Sequence, residues 1–528
     1  MSDMTISFLV LAGVVVLFIS NLLPVELVAI GAALTLYGTD VLSLDEAIGG
    51  FGDASVIFIA TLFVISEGLD ATGVTAWAGQ QLVNRVGDDR TRLIVVMMLL
   101  VAVLTALISV NGAVAALLPM VAILAVRLGR APSQLLMPLA FAAHAGSMLA
   151  LTGTPVSVIV SEALDDAGFG TIGYFEFALV GVPLLVGTIA VVVLFGERLL
   201  PTRTPKSIPP DLSRHAQLLV QHYTVDDRIV DDHLPPNLIS RDYGIAEVVI
   251  APRSSAIGSP VFPGMVTDDG NLVVLAIKRN GETLAPKEST LAAGDTLLLQ
   301  GRWTALGARL ETDRELLAVD APDAIRRQAV PLGAGAKRAI AVLIAMVVGL
   351  ATGAIPAVVV GLLAAGALVV LRVLTIEQAY RSISWTTVIL VGAMISMSVA
   401  MRTSGAAERV AEELIGAVGD SSPYLLATGL FVITVVLGQL ISNMATALIV
   451  IPIALSAAAE TDISAVPLLM TVNVAAAAAL LTPVATPVNL MVMGPGGYRF
   501  GDYWKLGLPL LVVFFVVSVF LVPVFWSY

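Results

Sequence analysis

The sequence of 528 residues contains no cysteine. Disulfide bonds, thiol catalysis and cysteine-ligated metal sites are therefore excluded. Charged residues are also scarce, at 13% of the chain, whereas hydrophobic residues make up 57%. Soluble domains are nearer to one-quarter charged. No nucleophile, base or metal-ligand constellation recurs, so we expect a protein that is not an enzyme and has no catalytic residues.

Long apolar runs account for this composition. Ile6–Leu22, Ala339–Leu371 and Leu506–Phe525 approach or exceed the ~20 residues that a helix needs to cross a bilayer. The first run has no basic residue before it and no small-residue cleavage site after it, so it is predicted to be a retained span. We expect an α-helical polytopic protein of the cell (inner) membrane, in contact with lipid and with no nucleic-acid partner.

Charge density divides the chain into three parts. Residues 201–335 hold 14 Lys or Arg and 17 Asp or Glu, whereas the rest of the chain, almost three times as long, holds 14 and 23. A proline-rich stretch, LLPTRTPKSIPPD, opens the charged part and cannot continue a helix. We therefore predict a first membrane repeat at 1–200, an insertion at 201–335 and a second membrane repeat at 336–528.

Two polar motifs recur at a fixed spacing inside apolar surroundings. TGTPVSV begins at Thr152 and VATPVNL begins at Val484, so that Thr154 corresponds to Thr486 and Pro155 to Pro487. The same spacing relates Pro24 to Pro356, and the register is therefore held along most of the first repeat. Self-similarity of this length predicts a duplicated fold in which both copies contain the same broken helix.

Basic residues indicate that the two copies have opposite orientations. The loop at 84–92 carries three arginines and its counterpart at 416–423 carries none, whereas 39–53 has none and 372–385 has two. Because Lys and Arg favour cytoplasmic loops, the copies are predicted to form an inverted repeat. The pattern gives ten crossing segments, a cytoplasmic insertion at 201–335 and both termini outside.

Two further segments are predicted to be re-entrant hairpins. The stretch between Arg92 and Arg127 is too short for two full spans and their turn. The tip of one hairpin is therefore predicted near Ile108–Ala113, and that of its partner at Leu437–Ala447. Non-helical backbone at this depth needs a polar cavity, most simply one shared by both tips and both Thr-Pro breaks. Since no Lys or Arg lies in this core, helix ends and a co-transported cation would neutralise an anion there.

Simpler interpretations stay open for some of these residues. A Thr-Pro pair in a membrane helix is often only a kink. His144 is an ionisable group in a membrane segment and so a candidate proton carrier, but its repeat partner is Ala476 and a hydrogen-bonded structural histidine is an equal alternative.

Several of these motifs together resemble the divalent anion:sodium symporters. They are the tips SVNGAVAALLP and SNMATALIVIP, the breaks TGTPVS and TPVATPVN, and GPGGYRFGDYWKLGLPL near the C-terminus. The resemblance covers most of both repeats and implies a homodimeric, elevator-type transporter of small divalent anions such as sulfate or dicarboxylates. With the unequal pair of Ser157 and Asn489, it implies a substrate and cation site made of Ser109, Asn111, Gly153, Thr154, Pro155, Ser157, Ser442, Asn443, Thr446, Thr482, Ala485, Thr486, Pro487 and Asn489.

The coupling ion is less defined than the site. The resemblance would place Na+ at Ser109, Asn111, Gly153, Ser442, Asn443 and Ala485. The family has Ser-Asn-Thr at each tip, whereas this chain has Ser-Val-Asn and Ser-Asn-Met. The lost hydroxyls make H+ coupling, or sulfate as the substrate, more plausible than in a standard member. No other cofactor is expected.

The insertion is predicted to be a small cytoplasmic α/β unit. Its strands are AEVVIAP, LVVLAIKRNGE and DTLLLQG, with a helical turn near Gly258–Met265 and a helix in WTALGARLET. Residues 242–311 resemble the C-terminal domain of TrkA-type potassium-conductance regulators (RCK-C). That resemblance implies a dimerisation or regulatory module, which in some members binds a small ligand such as a cyclic dinucleotide.

A regulator-type domain also raises an alternative function, a cation/proton antiporter or an RCK-regulated cation channel. The sequence has no TVGYG-like filter and no paired acidic residues in the middle of a span, which counts against that alternative.

Overall fold

The structure is a computed structural model that describes residues 2–20, 22–85, 89–203, 243–267, 271–279, 282–284, 289–303, 305–307, 316–319, 332–333, 335–418, 422–483 and 485–528. The chain divides into two compact units. The first comprises Met1–Leu69, Ala78–Pro209 and Arg338–Tyr528, and the second comprises Asp70–Trp77 and Pro210–Lys337.

The described helices of the first half precede the insertion. They are α1 Asp3–Ser20, α2 Val25–Gly38, α3 Leu44–Gly49, α4 Ala54–Ala71, α5 Val74–Arg85, α6 Arg90–Leu107, α7 Val110–Arg127, α8 Ser133–Gly146, α9 Pro155–Asp166 and α10 Ala178–Leu199. Those of the second half follow it. They are α11 Ala336–Thr352, α12 Ala357–Val370, α13 Ile376–Ser382, α14 Trp385–Thr403, α15 Ala406–Val418, α16 Pro423–Leu440, α17 Asn443–Thr461, α18 Ala465–Ala477, α19 Pro487–Gly496, α20 Tyr503–Val516 and α21 Val522–Phe525.

Helices of membrane-spanning length dominate the first unit. Within the described ranges, eight helical segments are long and apolar enough to cross a bilayer, and the predicted helical, polytopic membrane protein is confirmed at that level. Other apolar helices are shorter. Both α2 and α12 have 14 residues, about 21 Å at 1.5 Å per residue, which is less than the ~30 Å hydrocarbon core. The number of crossing segments stays a prediction.

The duplication is visible in where the helices begin. The starts of α2 and α12, of α8 and α18, and of α9 and α19 are each separated by the spacing that relates the two Thr-Pro motifs. A proline accounts for several of these starts, because its fixed φ suits the N-terminal end of a helix and its missing N–H costs nothing there.

Inside the first unit, one helix of each half packs against helices of the other half. Helix α9, which follows the first break, packs against α17 and α18 of the second half. Helix α19, which follows the second break, packs against α7 and α8 of the first half. Each broken helix therefore begins in its own half and continues against the other.

The second unit contains a sheet whose described strand pairs are all antiparallel. Its strands are β1 Tyr243–Ile250, β2 Pro260–Val261, β3 Leu272–Arg279, β4 Glu282–Thr283, β5 Ser289–Thr290, β6 Thr296–Arg302 and β7 Leu316–Ala318. The main sheet has the order β4-β3-β6-β1-β7, and β2 pairs separately with β5. One face of the main sheet packs into an apolar core around Val248, Leu299 and Trp303.

The insertion agrees with the sequence in its strands and differs in one turn. The three predicted strands correspond to β1, β3 and β6. The helical turn predicted near Gly258–Met265 is wrong, because Pro260–Val261 is a short strand there. Gly258 and Gly264 both have positive φ, at 90° and 93°, a conformation that glycine favours and that does not continue a helix. Most of the helix predicted in WTALGARLET lies outside the described residues.

Candidate functional site

The first helix break lies between α8 and α9. A 3₁₀ turn at Leu151–Gly153 follows the end of α8, and Thr154 is the N-cap of α9. Its hydroxyl accepts a hydrogen bond from the backbone N–H of Val156 at 3.4 Å, and Pro155 occupies the first helical position. Threonine and proline are favoured at these two positions for that reason. The predicted break is present, and it is a new helix start rather than a bend.

The second break has the same construction. Helix α18 ends at Ala477, and α19 begins at Pro487 with Thr486 as its N-cap. The Thr486 hydroxyl accepts from the backbone N–H of Asn489 at 3.3 Å. Both copies of the Thr-Pro motif therefore produce the N-terminal end of a helix inside the apolar core.

The two predicted tips are also helix starts. Ser109 caps α7 and accepts from the N–H of Gly112 at 3.2 Å, and Ser442 caps α17 and accepts from the N–H of Ala445 at 3.3 Å. The register that pairs these two caps is shifted by a single position from the register that pairs the breaks. At the tips, Asn443 therefore corresponds to Val110, and Asn111 has no equivalent asparagine.

All four helix starts line one cavity of about 340 Å³. Most of the predicted site residues contribute to it. They are Ser109, Asn111, Gly153, Thr154, Pro155, Ser442, Asn443, Ala485, Thr486 and Pro487, with His144. The described lining also includes Ser147, Ser384, Thr386, Thr387 and Asn473, and it contains no acidic or basic side chain apart from the imidazole.

Four predicted residues are not part of this lining. Ser157 is fully buried, and its hydroxyl accepts from the Asn473 amide at 3.1 Å. The Thr482 hydroxyl donates to the carbonyl of Gln439 at 3.4 Å. Thr446 and Asn489 are also fully buried. The side chains of Ser157, Thr482 and Asn489 are hydrogen-bonded to protein around the cavity, whereas the hydroxyl of Thr446 has no partner.

His144 joins the two halves at the cavity. Its Nε2 lies 3.2 Å from the Asn489 amide oxygen and 3.3 Å from the Thr486 hydroxyl. The Asn489 amide nitrogen donates to the carbonyls of Ala479, at 2.8 Å, and Thr482, at 2.9 Å. Its orientation is therefore fixed, with the amide oxygen toward the imidazole. The role of His144 as a proton carrier stays a prediction.

Each break is hydrogen-bonded to the helix that precedes the tip of the same half, α6 in the first half and α16 in the second. In the first half, the Thr152 hydroxyl donates to the Ala106 carbonyl at 2.7 Å. In the second, the side chain of Gln439 accepts from the N–H of Leu481 at 3.0 Å and donates to the Ala478 carbonyl at 3.2 Å. Ala106 and Gln439 are equivalent in the register that pairs the two caps at the tips. In the first half a side chain of the break bonds the backbone of α6, whereas in the second half a side chain of α16 bonds the backbone of the break.

Close backbone approach explains three glycines near the breaks. A Cβ at Gly153 would overlap the carbonyl oxygen of Ser147. A Cβ at Gly181 of α10 or Gly507 of α20 would overlap a carbonyl of the preceding unwound segment, that of Met148 or Leu480 respectively. These glycines let a following segment pack directly on each break.

Two buried side-chain oxygens at the second tip have no hydrogen-bond partner. They are Asn443 Oδ1 and Thr446 Oγ1, which are one helical turn apart on α17 and so lie on the same face of the helix. A buried polar atom without a partner is costly and calls for a ligand. Amide and hydroxyl oxygens are the donors that a hard cation such as Na+ prefers, and the residues present fit such an ion.

The first tip differs at both positions. Val110 and Ala113 stand where the second tip has Asn443 and Thr446. Neither has a side-chain oxygen, so the first tip does not match the oxygen set of the second.

The glycine-rich motif near the C-terminus fastens the outer ends of the broken helices. The Tyr498 hydroxyl accepts from the N–H of Met137 at 2.8 Å and donates to the carbonyl of Ser133. Arg203 donates to both carboxylate oxygens of Asp502, at 2.5 and 3.4 Å. The Tyr503 hydroxyl donates to the Asn489 carbonyl at 2.6 Å. The motif holds α8, α19 and the chain leading into the insertion together.

Two supporting residues, Asn473 and Gln439, were not predicted. Each is an amide in an otherwise apolar helix, which is an unusual place for an unpaired amide. The two amides are visible in the sequence, Asn473 in NVAAAAALL and Gln439 in LGQLISN. Their repeat partners are the apolar residues Phe141 and Ala106, so the duplication does not point to either amide.

A helical membrane protein with a polar cavity at the meeting point of broken helices belongs to the class of transporters. A family model described as a citrate transporter matches residues 15–448 and again 341–528. The chain belongs to that citrate transporter family.

Three curated relatives agree with this assignment. The chain is 30% identical to the uncharacterized transporter YfbS of Escherichia coli (strain K12), over 98% of both chains. It is 27% identical to the probable sodium/sulfate cotransporter 3 of Chlamydomonas reinhardtii, over 52% of this chain and 32% of that one. It is 28% identical to the sodium-dependent dicarboxylate transporter SdcS of Staphylococcus saprophyticus, over 29% and 30%. The family and these relatives are transporters, so the prediction that the protein is not an enzyme is confirmed.

Proposed function

We propose that this protein is a cation-coupled secondary active transporter of small divalent anions, either sulfate or a dicarboxylate. The observation that carries the proposal is the meeting of four helix N-termini at one cavity whose described lining contains no Lys or Arg. The names of the sodium/sulfate and dicarboxylate relatives support this substrate class.

Helix ends supply the positive charge that the side chains do not. An N-terminal helix end carries roughly half an elementary charge. The starts of α7, α9, α17 and α19 together therefore amount to about two positive charges. This charge suits a divalent anion, and free N–H groups at such ends bind carboxylate, sulfate or phosphate oxygens directly.

The coupling cation would bind at the second tip. Asn443 Oδ1 and Thr446 Oγ1 are the two oxygens of this tip that are buried without a hydrogen-bond partner, and Ser442 precedes Asn443 in the chain. A cation bound there adds a positive charge next to the anion, so each ion favours binding of the other. Na+ is the first candidate and H+ the alternative.

The transport cycle we propose is an elevator motion in the cell membrane. The two tips reach one cavity from opposite repeats, which is expected if both are re-entrant hairpins in an inverted repeat. The distribution of basic residues in the loops supports a cytoplasmic insertion. The resemblance described above supports a homodimer with a fixed scaffold and a moving transport core.

The insertion would be a regulatory or dimerisation module. The strands β1, β3 and β6 coincide with the region that resembles RCK-C domains. A cyclic dinucleotide is one ligand to test for it. This part of the proposal is independent of the anion site.

Uptake by purified protein in liposomes tests the proposed function. Labelled sulfate, succinate and citrate are supplied outside, with and without an inward Na+ gradient and with and without a pH gradient. We expect accumulation of at least one divalent anion that depends on one of the two gradients. Cation flux without anion flux would contradict the proposal and favour the antiporter or channel alternative.

A further inference from the structure

A neutral imidazole can donate through only one of its nitrogens, and the neighbours of His144 decide which one. The Asn489 amide nitrogen already donates to two backbone carbonyls, so its oxygen faces His144 Nε2 as an acceptor. Nε2 must therefore carry the hydrogen. The imidazole is a donor toward Asn489, across the boundary between the two halves.

The same donor orients the Thr486 hydroxyl. Thr486 Oγ1 accepts from the backbone N–H of Asn489 and lies 3.3 Å from His144 Nε2. Because Nε2 bears a hydrogen, the Thr486 hydroxyl cannot donate to it. No acceptor for the hydroxyl hydrogen is found among the described residues, and Thr486 lines the cavity.

We infer that His144 is a positioning residue, which holds the Thr486 hydroxyl with its hydrogen free to donate to an oxygen of the bound anion. This inference rests on the proposed function and adds one specific contact to it. His144 acts through Thr486, and neither residue needs to change its charge.

The first half lacks this arrangement and provides an internal control. Ala476 and Ser157 stand at the positions equivalent to His144 and Asn489. The Ser157 hydroxyl accepts a hydrogen bond from the side-chain amide of Asn473 at 3.1 Å. The Thr154 hydroxyl accepts from the N–H of Val156, and no side-chain donor orients it in the described structure. The two threonines are therefore unequal, and Thr486 is the one set to donate.

The test compares four variants for binding of labelled sulfate and labelled succinate to purified protein, and for uptake KM and kcat in liposomes. Glutamine can present an amide N–H near the position of Nε2, whereas methionine has similar bulk and no donor. We expect His144→Met and Thr486→Val each to weaken anion binding by about tenfold, the loss of one hydrogen bond. His144→Gln should restore binding to within about threefold of wild type, and the effect should lie in KM rather than kcat.

A double variant separates positioning from a general structural role. If His144 acts through Thr486, His144→Met should add no further loss to Thr486→Val. Losses that multiply, or a glutamine variant as weak as the methionine variant, would overturn the inference. A glutamine variant that still accumulates anion also rules out proton carriage by His144, because an amide does not titrate.

Two further outcomes keep the test decisive. Should His144→Met fail to fold, Thr486→Val is compared with Thr154→Val, and an equal loss in the two would overturn the inference. Absence of anion binding to the wild type would overturn the proposed function and the inference with it. Binding by the wild type that none of the substitutions alters would overturn the inference alone.

Discussion

The tip and break of the first half have the same backbone plan as those of the second half, but their polar groups are distributed differently. At the tips, Val110 and Ala113 of the first half oppose Asn443 and Thr446 of the second. At the first break, the Thr152 hydroxyl donates a hydrogen bond to the backbone carbonyl of Ala106 on α6. At the second break, the side chain of Gln439 on α16 accepts one from the backbone N–H of Leu481. Duplication has preserved where helices start, while the groups that serve the ligands have diverged.

This difference suggests a division of labour between the halves. Both contribute helix N-termini to the cavity, so under the proposed function both would attract the anion. The unpaired tip oxygens Asn443 Oδ1 and Thr446 Oγ1 and the oriented Thr486 belong to the second half. Beside the first tip, one buried side-chain oxygen without a partner is found, Thr105 Oγ1 of α6. We therefore expect equivalent substitutions in the two halves to have unequal effects.

Substitution of the residue before the N-cap threonine of each break should show the largest inequality. In Gly153→Ala, the new Cβ would overlap the carbonyl oxygen of Ser147, so the break must shift. A displacement of this size at a binding site costs about 100-fold or more in function. Ala485 already has a Cβ at the equivalent position, and we expect Ala485→Gly to change anion affinity by less than about threefold. Equal losses in the two variants, measured by labelled-anion binding, would contradict the asymmetry.

Substitution at the tips should change cation dependence in one half only. Asn443→Leu and Thr446→Val remove the oxygens assigned to the cation, and a hydrogen bond or ligand contact to a charged group is worth about 1.5–3 kcal/mol. The concentration of Na+ that gives half-maximal anion binding should therefore rise by about 10- to 100-fold. In the matched variants Val110→Ala and Ala113→Ser it should stay within about threefold of wild type. A similar rise in both pairs would indicate a cation site at each tip.

Loss of the break supports should reduce stability in both halves. Gln439→Leu leaves the N–H of Leu481 without a partner, at about 1–3 kcal/mol, whereas the carbonyl of Ala478 keeps a hydrogen bond from the N–H of Leu480. Thr152→Val removes the hydroxyl that bonds the carbonyl of Ala106 and the hydroxyl of Tyr174. Thermal unfolding in detergent should therefore show a lower Tm for both variants. An unchanged Tm in either variant would contradict the support assigned to that break.

The insertion lies outside the duplication and should respond to acid without altering either half. Hydrogen bonds from Arg279, at 2.7 Å to each carboxylate oxygen, hold the pKa of Asp295 below its ordinary value. A lowered pKa in the folded state contributes stability above the ordinary aspartate value, near 4, and this contribution is lost as the pH falls through the folded-state pKa. Asp295→Asn should remove this part of the pH dependence.

Hydrogen exchange of the full-length protein provides the measurement. Peptides covering β3 and β6 should exchange faster in Asp295→Asn than in wild type at neutral pH, and the difference should shrink toward pH 3. Anion binding should be unchanged. A variant that weakens anion binding would contradict the independence of the insertion.

Much of the core arrangement could be predicted from the sequence. The two Thr-Pro copies located both breaks, because threonine at an N-cap followed by proline has a local conformational preference that does not depend on the rest of the fold. The repeat spacing also located the tips, apart from the single-position shift that pairs Ser109 with Ser442. Local preference and duplication are both encoded in the sequence itself.

The direction in which each side chain points could not be predicted from the repeat. Ser157 and Asn489 come from the repeated motif, yet they point to partners in the cavity wall. Their partners Asn473 and His144 are supplied by the opposite half and have no polar counterparts in the repeat. Which way such a side chain faces depends on packing between the halves, and a repeat spacing contains no information on that packing.

The absence of native cysteine makes the central claim directly measurable. Val110 and Met444 line the same cavity from the two different tips. Single cysteines at these positions can be labelled with a thiol reagent at increasing concentrations of the transported anion. If one anion site is shared by both halves, the anion should protect both cysteines with the same half-saturating concentration. Protection of only one cysteine, or clearly different half-saturating concentrations, would contradict a shared site.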